Sequence, residues 1–304
     1  MPHSNLSGLI PILATPFDTS GRLDVPSLRR LIDFQLASSV DGIAVFGMAS
    51  EGFALTARDR GAILRELASV SAGSVPIVAG VAATSTVTAV EQAHAAVEGG
   101  AHALMVLPPF MVKPNADQLV EFYGTIASES GVPVMVQDAP GATGVTMSVP
   151  LIAELSRLAG VDSIKVEAPP TVAKTASVVA AVRPGFVVFG GQNSQMVLEE
   201  YSAGAIGTMP ACEFPDLLRP VLLAFTDGEH ELARDMFARL LPLILFGLQP
   251  GLAWAVHKEV LVMRGIIESA TVRSPASPVD GRMRESIRTI LTELELAPAR
   301  RAQL

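Results

Sequence analysis

Ser163-Ile164-Lys165-Val166-Glu167 sets a lysine and a glutamate alternately with two β-branched residues, a pattern that reads as a buried strand. Side chains alternate across a strand, so Ile164 and Val166 belong to one face, and Lys165 and Glu167 to the other. Apolar residues cover the face that meets helices. The two charged residues therefore point together into an interior.

Similar short apolar runs recur along the chain: Gly8 to Ala14, Gly42 to Phe46, Pro76 to Val81, Ala103 to Leu107, Val132 to Gln137, Phe186 to Phe189 and Ala205 to Met209. With the lysine strand they make eight, separated by amphipathic stretches long enough for crossover helices. Eight βα units suffice to close a barrel. The predicted fold is an α/β TIM (β/α)8 barrel with a C-terminal helical extension, and a doubly wound open sheet is the alternative. Beyond residue 213 only helical patterns remain, over Phe214 to Thr226, Glu229 to Phe246, Leu252 to Ile267 and Arg282 to Leu296, with a frayed tail over Ala297 to Leu304. The barrel is expected to occupy residues 1–225 and the helical region residues 226–304.

Composition agrees with buried parallel strands. Hydrophobic residues make up 49% of the 304 and charged residues 17%, while aromatics are only 5%, so Ala, Val, Leu and Ile must build the core. A net charge of -8 with no run of Lys or Arg leaves nothing to neutralise a phosphate backbone, which argues against nucleic acid. No window reaches the length of apolar sequence that a membrane span needs. The lone cysteine, Cys212, reads as a small core residue, and a cytoplasmic location is expected.

Of four lysines, Lys113, Lys165, Lys174 and Lys258, only Lys165 lies inside an apolar strand. Desolvation favours the neutral form of an amine, and a neutral amine attacks a ketone to give an imine. A plain buried ion pair between Lys165 and Glu167 is the competing reading. Barrel chemistry sits where strands end, and three further segments occupy such places. Gly47-Met48-Ala49-Ser50-Glu51-Gly52 follows the second run, with small residues that would let backbone amides approach a carboxylate. Gln137-Asp138-Ala139-Pro140 follows the fifth, and Gly190-Gly191 the seventh. Each could equally be an ordinary turn. The histidines, His3, His94, His102, His230 and His257, read as surface or helix-cap residues, and neither a metal-ligand motif nor a nucleotide loop is present.

Taken in order and spacing, GMASEG at 47–52, VMVQDAPGATG at 134–144 and SIKVE at 163–167 resemble the dihydrodipicolinate synthase and N-acetylneuraminate lyase superfamily. The similarity continues through Gly190-Gly191, Ala203-Gly204-Ala205-Ile206-Gly207 and the helical C-terminal region. It implies a homotetramer or homodimer without organic cofactor or metal, and a Schiff-base lysine at Lys165. The synthase's two loop threonines fall at Met48 and Ala49, its strand-five tyrosine at Gln137, its neighbouring-subunit tyrosine at Met111, and its carboxylate-binding arginine at Ala142. That tyrosine relay is absent, which disfavours 4-hydroxy-tetrahydrodipicolinate synthesis. Gln137-Asp138-Ala139-Pro140, Lys165-Val166-Glu167 and Ser50-Glu51 instead resemble the 2-keto-3-deoxy-L-arabonate dehydratases. The resemblance and the strand pattern together make Lys165 the expected imine-forming residue, with Glu167 and Gln137, on the same interior face, as its expected catalytic partners, and Ala49, Ser50, Glu51, Asp138, Gly191 and Met209 are the expected contacts for a small 2-keto-3-deoxy acid. A pyruvate-dependent aldolase and a non-catalytic keto-acid binder remain open beside the dehydratase.

Overall fold

Parallel strands β1 (Gly8–Leu9), β2 (Ile43–Val45), β3 (Ile77–Val81), β4 (Ala103–Val106), β5 (Val134–Asp138), β6 (Val161–Val166), β7 (Val187–Gly190) and β8 (Gly207–Thr208) form one sheet. Its order is β1-β8-β7-β6-β5-β4-β3-β2 in a computed structural model that describes residues 6–296. Ile12 closes the ring, bridging in parallel to both Ala44 and Ala211. The Ala44 amide donates to Pro11 O at 2.9 Å and the Leu13 amide to Ala44 O at 2.8 Å. The fold is a TIM barrel.

Strand alternation divides the core into two layers. Ile10, Ile12, Ala44, Val78, Ala103, Met105, Met135, Phe189 and Met209 fill the barrel. Ile164, Val166 and Val136 face outward into the much larger layer beneath the helices, as their places in the pattern require. Regular pairing in the first run stops after Leu9, because Pro11 has no amide to donate and only the bridge at Ile12 resumes the ladder. Cys212 is buried, and its Sγ accepts the Ala14 amide at 3.2 Å.

Helix starts carry local signals. Thr56 and Asp59 cap each other's backbone amides at the start of helix Ala57–Ser71, and Asn115 and Gln118 do the same for helix Ala116–Ser130. After β8 come helices Pro215–Thr226, His230–Phe246, Ala253–Met263 and Gly281–Glu293. The expected tail from Ala297 lies outside the described residues. Among the described residues no helix is long and apolar enough to cross a membrane.

Candidate active site

Lys165 is 2% exposed, and its position across the sheet is set by an irregularity. Val134 pairs with Val161 but Met135 pairs with Ser163, so β6 carries one extra residue against β5. That residue, Asp162, turns outward to Arg183, with Oδ1 2.7 Å from its Nη2. Beyond the bulge Gln137, Lys165 and Phe189 stand side by side. Glu167 extends β6, its amide donating to Asp138 O at 2.9 Å. Its carboxylate gathers three donors: Lys165 Nζ lies 3.1 Å from Oε1, Gln137 Nε2 donates to Oε2 at 2.7 Å, and the Gln192 amide reaches Oε1 at 3.3 Å. Gly191 makes this possible, because a Cβ there would lie 2.3 Å from Glu167 Cγ. The glycine clears space for a protein carboxylate.

Lys165 and Glu167 open on a cavity of about 250 Å³ that Ala49 and Met209 also line. Gln137 faces an adjoining space of about 590 Å³, and Met48 and Trp254 border both. Met48–Ser50 forms a single 3-10 turn. The Ser50 amide is taken by Gly47 O at 3.1 Å, whereas the Ala49 amide meets no protein acceptor among the described residues. The Ser50 hydroxyl is buried and also unpartnered. Glu51 and Asp138, expected as substrate contacts, have their carboxylates elsewhere. Glu51 is fully buried against Lys258, and its Oε2 accepts the Arg273 amide at 2.9 Å. Asp138 alternates outward from Gln137 and meets Lys174 Nζ at 2.6 Å, while burial raises its carboxyl pKa.

A match to the Dihydrodipicolinate synthetase family spans residues 5–294. The chain belongs to this family. It is 31% identical over 297 residues to an L-2-keto-3-deoxyarabonate dehydratase of Azospirillum brasilense, covering 95% of this chain and 94% of the relative. It is 28% identical over 293 residues to a 4-hydroxy-tetrahydrodipicolinate synthase of Methylococcus capsulatus, covering 95% and 98%. Among solved structures, a prophage protein of the dihydrodipicolinic acid synthase family from E. coli K12, in complex with pyruvate, superposes with a TM-score of 0.90. That protein is 26% identical, with 97% of this chain and 100% of the other covered.

In this member of the dihydrodipicolinate synthetase family the C-terminal helices supply much of the site, which strand patterns could not reveal. Gly247 to Gly251, Ala253, Trp254 and His257 line the cavity beside Lys165. Trp254 Nε1 donates to Met48 O at 2.5 Å and fastens the 3-10 turn to helix Ala253–Met263. His257 is not a surface or cap residue. It is buried, with Nδ1 2.7 Å from Glu213 Oε1, because the barrel mouth lies over this helix. Asn193, in the left-handed region at φ 54°, donates to Ile244 O at 3.1 Å and accepts the Ala211 amide at 2.9 Å, joining the β7 loop to the C-terminal region. Behind β7, Glu200 is fully buried with neither carboxylate oxygen hydrogen-bonded among the described residues, and burial pushes its pKa up to about 7. Gly190 leaves room for it, since a Cβ there would lie 2.0 Å from Oε2.

Proposed function

We propose that this protein is a lyase that forms a Schiff base between Lys165 and a 2-keto-3-deoxy sugar acid and dehydrates it. The observation that carries the reading is Glu167, held 3.1 Å from the Lys165 amine and hydrogen-bonded by Gln137 where the synthases have a tyrosine. The substrate carboxylate sits on the Ala49 amide, which lines the cavity and meets no protein acceptor among the described residues. The ketone condenses with Lys165 and releases water. Glu167 then removes a C3 proton, and the resulting enamine expels the C4 hydroxyl as a second water. Gln137 orients Glu167 but cannot shuttle protons as a tyrosine would. Imine hydrolysis and tautomerisation free the semialdehyde product and the amine.

The likeness to the Azospirillum dehydratase supports this substrate class. Cleavage of C3–C4 in the same intermediate is a second reading, favoured by the pyruvate in the E. coli relative. Exposed Met111 and Val112 on the loop after β4 support an assembly of two or four copies. A panel of 2-keto-3-deoxy acids, assayed separately for semialdehyde and for pyruvate, tests the reading, together with borohydride trapping and peptide mapping. Semialdehyde and an adduct on Lys165 are expected. Pyruvate release would sink dehydration, and an adduct elsewhere would sink the Schiff base.

A further inference from the structure

We infer that His257, held by Glu213, is the acid that protonates the departing C4 hydroxyl; the inference rests on the dehydration proposed above. The leaving oxygen is on the carbon beyond C3, farther from the imine than the proton Glu167 removes. Glu167 is held beside the imine nitrogen by Lys165, Gln192 and Gln137. A second proton donor is needed farther along the substrate chain. Among the residues lining it, Lys165, Glu167 and His257 carry titratable side chains, and His257 alone has no part in the imine or in C3 deprotonation.

The imidazole is built as a proton-transfer group. Its Nδ1 lies 2.7 Å from Glu213 Oε1, and Nε2 has no protein partner among the described residues although the side chain lines the cavity. A carboxylate on Nδ1 fixes the ring orientation, leaving Nε2 to give or take the proton. Glu213 is fully buried, and its second oxygen has no hydrogen-bond partner among the described residues. Arg264 holds the main-chain oxygen of Glu213 and also meets Asp216, Nη1 to Oδ1 at 3.0 Å, which anchors the dyad to the C-terminal helices. Gly247 lets the neighbouring loop close on the ring, since a Cβ there would lie 2.8 Å from His257 Cε1.

In the step assigned to it, the C3–H electron pair becomes the enamine double bond as the proton passes to Glu167. The enamine pair then re-forms the C=N bond, C3=C4 forms and C4–O breaks. The oxygen takes the proton from His257 Nε2 and departs as water. Glu167 later loses its proton and His257 regains one by exchange with solvent, and no redox partner is required.

The test separates the two proton transfers. His257→Asn and His257→Gln are incubated in D2O with a 2-keto-3-deoxy acid, following C3 deuterium incorporation and elimination in parallel, with borohydride trapping of pyruvate as the check of folding. Elimination is expected to fall about 10²-fold or more while C3 exchange and trapping persist. A 4-deoxy-4-fluoro analogue, whose leaving group departs as an anion, should lose far less. Unchanged elimination, or exchange and elimination falling in proportion, would overturn the assignment. If neither variant traps pyruvate, Glu213→Gln replaces them, with the same selective loss of elimination expected and the same outcomes counting against it. A wild-type protein that eliminates no 2-keto-3-deoxy acid overturns the parent proposal as well, whereas fully active His257 variants overturn this one alone.

Discussion

Lys165 and Lys258 are both buried lysines paired with a glutamate, yet they sit in opposite settings. Lys165 shares a cavity wall with Glu167, and there is room in front of its amine for a small molecule. Lys258 and Glu51 have no solvent exposure, and the Lys258 amine lies 4.2 Å from the Phe17 ring centre, with the Arg273 guanidinium over the same ring at 4.0 Å. Burial pushes the Lys258 pKa down to about 8 against the pull of Glu51. Glu51 takes a left-handed φ of 55°, uncommon outside glycine, directly after the 3-10 turn. The pair thus pins the loop that offers the Ala49 amide. Burial and pairing are common to both lysines, and access to the cavity is what differs between them.

Exchanging the lysines one at a time is the severest test of that contrast. Lys165→Ala should abolish trapping and turnover while the protein stays folded. Lys258→Met should still trap a keto acid on Lys165 but lose about 3–5 kcal/mol in urea denaturation, the cost of stranding a buried charge. A folded Lys258→Met protein that fails to trap would break the comparison.

The two glutamates give the next largest contrast. Glu167→Gln is expected to keep the adduct while turnover falls by roughly 10² to 10⁴. Glu51→Gln should leave the chemical step nearly intact and show itself as reduced stability and a raised KM, through a loosened Met48–Ser50 turn. Equal losses of kcat in both variants would erase the distinction.

The smallest effect concerns Glu200, a buried carboxylate that forms no ion pair among the described residues. Its carboxyl pKa is about 7 in the fold against 4.5 for the free group, so the folded state binds the extra proton between those values. Stability from this group is therefore complete below pH 4.5 and is lost as pH rises through 7, by on the order of 3 kcal/mol. Glu200→Gln should flatten urea midpoints measured from pH 5 to pH 8. A wild-type midpoint that does not fall over that range would count against the assignment.

The strands were legible because alternation is a local property. Lys165, Glu167 and Gln137 could be placed on the interior face from their own neighbours, and all three meet at one carboxylate. Asp138 and Glu51 were less legible, since nearness in sequence to a site residue does not say which side of the backbone a carboxylate takes. Asp138 follows the alternation outward to Lys174, and Glu51 turns back to Lys258. Gly190 and Gly191, at the end of β7, invited a reading as ligand contacts, yet the space they leave is filled by Glu200 and Glu167.

By itself the sequence determined an eight-stranded barrel and an inward-facing lysine and glutamate on its sixth strand, because hydrophobic period and residue type are set over a few neighbouring positions. Packing of the C-terminal helices brings Trp254 onto the 3-10 turn, sets His257 on the same cavity with Glu213 behind it, and pairs Lys258 with Glu51. Each of these joins segments far apart in the chain. Such contacts follow from how helices pack over the barrel mouth, and no local pattern records that packing.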